Sequence, residues 1–217
     1  MTNRSLLALC LTLAASSAAC AVDSGAGEAS ADQTSWRSSV ERKLSPEVAI
    51  PDGTPIGRTV DSVTAELSQG LRAAEPRQSG SCVVRSFAGA DGREVFQRET
   101  CEGYDVIRVG YRGPNDVDRI YGDHSKGTTA KDGRVDSYRQ KTGDYLSVED
   151  QNRDGKADLQ IFKADPATDL TPFAPYRLSA GGKLANRILE DKDFNGRFEL
   201  ESLTAQVSSN SWFVKDE

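Results

Sequence analysis

The chain has 217 residues, of which 37% are hydrophobic and 28% charged, and its formal net charge at pH 7 is −6. That length and composition allow one modest folded domain with appendages, and the acidic balance argues against a nucleic-acid partner. The single histidine, His124, argues against histidine-based metal sites and against Ser-His-Asp or Cys-His catalysis. No catalytic signature stands out, and we do not expect an enzyme.

The N-terminus is typical of an export signal. Arg4 supplies a positive charge, and residues 6–15 form an apolar run that is too short to cross a membrane as a helix. The Ser-Ser-Ala-Ala-Cys sequence that follows resembles a bacterial lipoprotein signal, although Ser17 stands where that signal usually has leucine. The resemblance implies a signal peptide over residues 1–19 and lipid (including palmitate) on Cys20. Such a protein would be anchored to a membrane of the bacterial cell envelope, facing the periplasm or the surface; ordinary signal cleavage nearby is the alternative.

Two cysteines remain once the export signal and the lipid site are set aside, because Cys10 leaves with the signal. In an oxidising compartment, Cys82 and Cys101 should form a disulfide. Their spacing closes a loop of about 20 residues, which is worth about 3 kcal/mol in the chain-entropy model. A redox role has little support, because the chain has no C-x-x-C sequence.

Residues 20–58 are predicted to be the lipidated cysteine and a flexible tether. Small, polar and acidic residues dominate its start. Further on, Trp36, Val40 and Leu44 are spaced four apart, which predicts one short amphipathic helix that packs on the domain or stays loose. The prolines from Pro46 onward predict a linker.

Residues 59–80 are predicted to form the best helix of the chain and a polar linker. The helix is expected over residues 59–72, with Thr59 or Asp61 available as the N-cap. Its apolar residues recur at helical spacing: Val60, Val63, Leu67 and Leu71. We expect this helix to pack against one face of a sheet.

Residues 81–217 are predicted to form a β domain. Short apolar alternations follow one another, with glycine-, proline- and asparagine-containing turn sequences between them. The fold class is therefore expected to be mainly β, an antiparallel meander of hairpins with one or two short N-terminal helices. Residues 163–183 carry three prolines and are expected to be a long surface loop.

Two nine-residue stretches of this β domain share one pattern, at residues 150–158 and 191–199. Side-chain oxygens stand at loop positions 1, 3, 5 and 9, and glycine stands at position 6. Calcium takes about 6–8 oxygen ligands, and the glycine permits a sharp turn. Position 12 is Ile161 in one loop and Ser202 in the other, so neither loop is an EF-hand, which needs glutamate there.

The two loops resemble the calcium loops of integrin-type FG-GAP and VCBS-like repeats, D-x-[DN]-x-[DN]-G-x-x-[DE] followed by a strand. The resemblance covers only residues 150–162 and 191–203, and the chain is too short for the β-propellers that such repeats often build. It implies calcium ligands from both loops, with carbonyl oxygens at position 7. The implied ligands are Asp150, Asn152, Asp154, Lys156 (carbonyl), Asp158, Asp191, Asp193, Asn195, Arg197 (carbonyl) and Glu199.

Metal-free turns are the alternative, because Asp-Gly and Asn-Gly sequences favour hairpin turns without any ion. Asp91-Gly92 is such a case. A weak repeat of the pattern also ends at Asp136, but Thr128 and Ala130 stand at its positions 1 and 3. We interpret that copy as a turn without metal.

The expected function is that of a lipid-anchored β module with structural calcium, a surface or periplasmic protein that binds an unidentified envelope or extracellular partner. One alternative is a metal-free structural lipoprotein of the envelope. A less favoured alternative is a glycan-acting hydrolase, since two carboxylates suffice for that chemistry.

Overall fold

The computed structural model describes residues 36–37, 39–50, 54–113, 116–124, 131–141, 145–206 and 213–216. One compact unit spans Thr34–Glu217. The predicted signal peptide and the lipid site at Cys20 lie outside the described residues. Within these ranges, no helix is long and apolar enough to cross a membrane.

The described part is mainly β, with one α-helix and one short 3-10 helix at Thr171–Phe173. The elements in chain order are β1 (Trp36–Arg37), β2 (Ser39–Ala49), α1 (Val60–Leu67), β3 (Arg72–Ala73), β4 (Arg77–Ser79), β5 (Cys82–Ala88), β6 (Glu94–Thr100), β7 (Asp105–Val109), β8 (Arg119–Asp123), β9 (Ser137–Gln140), β10 (Leu146–Glu149), β11 (Leu159–Lys163), β12 (Tyr176–Leu178), β13 (Leu184–Glu190), β14 (Arg197–Ala205) and β15 (Phe213–Lys215).

Twelve strands form one antiparallel sheet in the order β2-β14-β13-β11-β10-β9-β8-β7-β6-β5-β3, with β4 also paired to β5. From β5 to β11 each strand pairs with the next one along the chain, which is the arrangement of a meander. A separate three-stranded sheet has the order β1-β15-β12. The predicted fold class is therefore confirmed. The expected loop at residues 163–183 contains one strand, β12.

The helix predicted around Trp36, Val40 and Leu44 is wrong, because this segment is extended. β2 pairs with β14 and closes one edge of the large sheet, so part of the predicted tether belongs to the fold. Val40 and Leu44 are both buried. A spacing of four residues puts side chains on one face of a helix, but four is also an even number and puts them on one face of a strand.

The second predicted helix is confirmed as α1, but it is shorter than its apolar pattern. Thr59 caps its start, with its hydroxyl oxygen accepting the backbone N–H of Ser62 at 3.1 Å. Gly70 follows the helix at φ +75°, and the chain turns there into β3 instead of continuing the helix. Val60 and Val63 pack against the sheet in the main core.

The main core lies between α1 and one face of the sheet, and its centre is fully buried at Phe96, Ile107 and Val148. A second, smaller core joins β2 and β14 to the three-stranded sheet. The expected disulfide is present between Cys82 and Cys101.

Candidate metal centre

Six neighbouring strands each place a buried aspartate at the same end of the large sheet. Three of these residues begin a strand or directly precede one, and three end a strand or directly follow one, as antiparallel order requires. None is more than 4% exposed. We call this set the aspartate row. Its members, in the order of the strands, are Asp105, Asp123, Asp136, Asp150, Asp158 and Asp191.

Asp150 organises the first predicted loop. Its Oδ1 accepts the backbone N–H of Arg153 at 2.7 Å, and its Oδ2 accepts that of Gly155 at 2.8 Å. Both donors have left-handed backbone, with φ of +66° at Arg153 and +88° at Gly155. The glycine adopts that conformation at low cost, whereas an arginine does so only because its surroundings hold it.

The other predicted ligands of the first loop gather around Asp150. One of its carboxylate oxygens lies within 4.8 Å of one oxygen each of Asp154 and Asp158. Asp158 Oδ2 accepts the N–H groups of Gln151 and Asn152 at 2.6 and 3.0 Å. The Asn152 side-chain oxygen accepts the N–H of Asp154 at 2.9 Å. The structure thus brings together three carboxylates of the predicted set.

The second loop repeats this arrangement. Asp191 Oδ2 accepts the N–H of Gly196 at 2.7 Å, and Asp191 Oδ1 accepts that of Asn195 at 3.1 Å. The Asn195 amide donates to Asp193 Oδ2 at 3.2 Å. Asp191, Asp193 and Glu199 offer carboxylate oxygens that all lie within 4.8 Å of one another.

Glu199 differs from the other predicted ligands in one respect. Its Oε1 accepts the backbone N–H of Lys192 at 2.6 Å. Its Oε2 is buried, and no described residue donates a hydrogen bond to it. A buried carboxylate oxygen without a partner destabilises the fold by about 1–3 kcal/mol or more. A cation or a hydrogen-bond donor beside this oxygen would remove that penalty.

The two position-7 residues turn their charged side chains away from the acids of their own loops. The Lys156 side chain reaches the second loop, where its Nζ lies 3.0 Å from the position that a Cβ on Gly196 would occupy. Arg197 Nη2 donates to the Glu47 carbonyl at 3.0 Å. The carbonyl ligands proposed at both residues stay predictions.

A third acidic cluster, Asp123, Asp132 and Asp136, was missed as a cluster by the sequence analysis. Asp123 Oδ2 accepts the N–H of Gly133 at 2.8 Å, as Asp150 does with Gly155. Asp132 precedes this glycine by one residue and Asp136 follows it by three, which are positions 5 and 9 of the pattern.

The acid at position 1 of this third cluster stands farther back along the chain. Asp123 lies ten residues before Gly133, whereas Asp150 lies five residues before Gly155. A fixed-spacing pattern therefore finds Thr128 at position 1. Only the position of Asp123 at the end of β8 could have signalled its role.

Burial disfavours the ionised form of several aspartates in the row. Burial raises the pKa of Asp136 to about 6, although the Arg153 guanidinium opposes the shift. Arg153 Nη2 lies 3.2 Å from Asp136 Oδ2. Burial also raises the pKa of Asp150 and of Asp158, while backbone hydrogen bonds act in the opposite direction. A cation among these carboxylates would favour the ionised forms.

Comparison of the chain with known protein families, characterised proteins and solved structures finds no significant match. The chemistry of the site therefore has to be argued from its own residues. Both predicted loops offer oxygen donors only, and neither includes a cysteine or histidine. Hard cations such as calcium prefer such ligands, whereas zinc and copper favour nitrogen and sulfur.

Proposed function

We propose that the protein is an exported, lipid-anchored β module that binds structural calcium at residues 150–158 and 191–199. The observation that carries the proposal is the buried Oε2 of Glu199, to which no described residue donates a hydrogen bond. Glu199 also offers a carboxylate oxygen within 4.8 Å of oxygens of Asp191 and Asp193. Three carboxylates so close together repel one another, and no described lysine or arginine pairs with any of them. A calcium ion in the loop would remove the repulsion and give the Glu199 oxygen a ligand bond.

Calcium suits loops that offer several side-chain oxygens in an irregular arrangement better than magnesium does. Magnesium requires near-octahedral geometry and keeps several waters, whereas calcium accepts 6–8 oxygens in flexible arrangements. Sites in extracellular modules bind calcium with Kd of about 10⁻⁴–10⁻³ M. At a concentration ten times Kd, each site would stabilise the fold by about 1.4 kcal/mol.

The proposed role is that of a surface or periplasmic binding protein whose loops are fixed by calcium. The lipoprotein-like signal ending at Cys20 supports attachment to a membrane of the cell envelope. A metal-free structural lipoprotein is a second candidate. One observation favours it: both carboxylate oxygens of Asp150 already accept backbone N–H groups.

The test is thermal unfolding of the full chain in EGTA, in calcium and in magnesium, with Asp154→Ala and Asp193→Ala as variants. Asp91→Ala is the matched control. Asp91 Oδ1 accepts an N–H two residues on at 3.1 Å, as Asp154 Oδ1 does at 2.8 Å, but it stands in a turn outside any of the acidic clusters.

We expect a rise in the melting temperature that is specific for calcium, reduced in each loop variant and unchanged in Asp91→Ala. An equal response of the parent protein to EGTA, calcium and magnesium would refute the calcium sites and favour the metal-free candidate.

A further inference from the structure

The third acidic cluster, the first loop and the second loop follow one another along the same end of the sheet, and backbone hydrogen bonds join each to the next. The Asp136 carbonyl oxygen accepts the N–H of Asp150 at 2.7 Å, and the Asp158 carbonyl oxygen accepts that of Asp191 at 2.8 Å. In both cases position 9 of one turn is bonded to position 1 of the following turn. A charge carried by one turn therefore lies close to the carboxylates of its neighbour.

Position 7 of each of the first two turns carries a basic side chain that lies over the glycine of the following turn. Arg134 Nη1 lies 3.6 Å from the position that a Cβ on Gly155 would occupy. Lys156 repeats this contact with its Nζ and Cδ, which lie 3.0 and 3.1 Å from the corresponding position at Gly196. The absence of a side chain at position 6 leaves the space in which the basic side chain of the preceding turn lies.

This arrangement places each cation near a carboxylate without pairing the two. The Gly196 N–H donates to Asp191 Oδ2 at 2.7 Å, so standard bond lengths put Lys156 Nζ at most about 8 Å from that oxygen. By the same geometry, Arg134 Nη1 lies at most about 9 Å from Asp150 Oδ2. Both basic side chains are exposed, and neither forms an ion pair with a described acid. Each can therefore act on the following loop through its charge alone.

We propose that Arg134 and Lys156 are counter-charges for the loops that follow them, and that they lower the calcium affinity of those loops. Arg134 acts on the first loop and Lys156 on the second. In the empty loop, the cation partly offsets the repulsion among the carboxylates. When calcium enters, the same cation repels it. The charge of the ligand set tunes calcium affinity, and a fixed cation beside the ligands opposes it. The affinity clause rests on the proposed function, whereas the counter-charge of the empty loop does not.

The test is a calcium titration of the full chain by NMR at low ionic strength, because the backbone amides of Gly155 and Gly196 report on the two loops separately. Both amides donate to position-1 carboxylates, so calcium at either loop should shift its own reporter. We expect Lys156→Met to lower the Kd at Gly196 about three- to fivefold and to change the Kd at Gly155 less. Arg134→Met should do the same at Gly155 and leave Gly196 unchanged.

Charge-conserving variants separate the effect of charge from the effect of packing. Lys156→Arg and Arg134→Lys keep the positive charge and should bind calcium like the parent. Lys163→Met removes an exposed lysine at the far end of β11 and is the control for a change in net charge. At about 0.5 M salt the differences in Kd should fall below about twofold, because the Debye length is then well below 8 Å. A loss of packing would not depend on salt in this way.

Melting temperatures in EGTA test the counter-charges without calcium. Lys156→Met and Arg134→Met should each melt about 1–3 °C below Lys163→Met, and equal melting temperatures of the three variants would overturn the counter-charge proposal. A calcium response in the parent with a parent-like Kd at the following loop of each variant would overturn the affinity clause. If calcium shifted neither reporter in the parent, the calcium sites and the affinity clause would both be refuted, and the EGTA comparison would still decide the counter-charges.

Discussion

Replacement of Glu199 by glutamine changes the stability in opposite directions with and without calcium, if the second loop is a metal site. The glutamine side-chain oxygen can still accept the N–H of Lys192, as Glu199 Oε1 does at 2.6 Å. Its amide nitrogen would replace the unpaired Oε2 and would bring N–H donors into a loop where Glu199, Asp191 and Asp193 have carboxylate oxygens within 4.8 Å of one another.

Without calcium, Glu199→Gln removes one of three close negative charges and one unpaired buried oxygen. We expect it to raise the free energy of unfolding by about 1 kcal/mol. For a domain of this size, 1 kcal/mol corresponds to about 2–4 °C in melting temperature. With calcium at ten times Kd, the parent gains about 2.8 kcal/mol from two sites, and the variant gains about half of this.

The assay is calorimetry or circular dichroism of the full chain, in EGTA and across calcium concentrations of about 0.1–10 mM, which bracket the expected Kd. Glu94→Gln, the same substitution at an exposed residue, is the control and should match the parent in both buffers. If Glu199→Gln lowered the melting temperature in EGTA, or kept the full calcium response, the assignment of Glu199 as a ligand would be wrong.

Three further predictions concern the same fold. In urea unfolding, Gly57→Ala should lower the free energy of unfolding by about 1–3 kcal/mol more than Gly70→Ala does. The two glycines have nearly the same φ, +76° at Gly57 and +75° at Gly70, but only a Cβ on Gly57 would meet backbone atoms within 4 Å. Equal losses of stability would refute the close contact. In EGTA, protonation of Asp136 near pH 6 should stabilise the fold as the pH falls from about 6 toward 4, by at most about 3 kcal/mol. Asp136→Asn should make the free energy of unfolding depend less on pH over this range, and an unchanged pH dependence would contradict the raised pKa. Replacing Cys82 and Cys101 by serine should lower the free energy of unfolding by about 3 kcal/mol and the melting temperature by about 6–12 °C. A loss of less than about 1 kcal/mol would refute the stabilisation expected from closing this loop.

The sequence predicted the β domain well because its signals are local. Alternating apolar residues and turn sequences specify each hairpin, and sequential hairpins pair with their neighbours in a meander. The two loops at residues 150–158 and 191–199 were found for the same reason, since all their side-chain oxygens lie within nine residues.

The features that the sequence analysis missed depend on contacts between distant parts of the chain. The spacing of Val40 and Leu44 fits the helix and the strand period equally, and the pairing that makes β2 a strand joins it to residues of β14 that lie about 150–165 positions along the chain. Asp123 was missed because it joins Asp132 and Asp136 across a longer connection.

The aspartate row is neutralised by arginines at one end but not, among the described residues, at the other. Asp105 receives two nitrogens of the Arg98 guanidinium, with the closest contact at 2.6 Å. Asp136 has Arg153 beside it. Among the described residues, Asp191 has no such cation, and its loop adds two more carboxylates that also lack one. Buried charges are ordinarily paired or bound to metal. Described arginines pair with the row at Asp105 and Asp136, whereas Lys156, which reaches the second loop, forms no ion pair with the acids of that loop. A calcium ion bound in the second loop, as proposed, would therefore compensate three carboxylates with which no described lysine or arginine forms an ion pair.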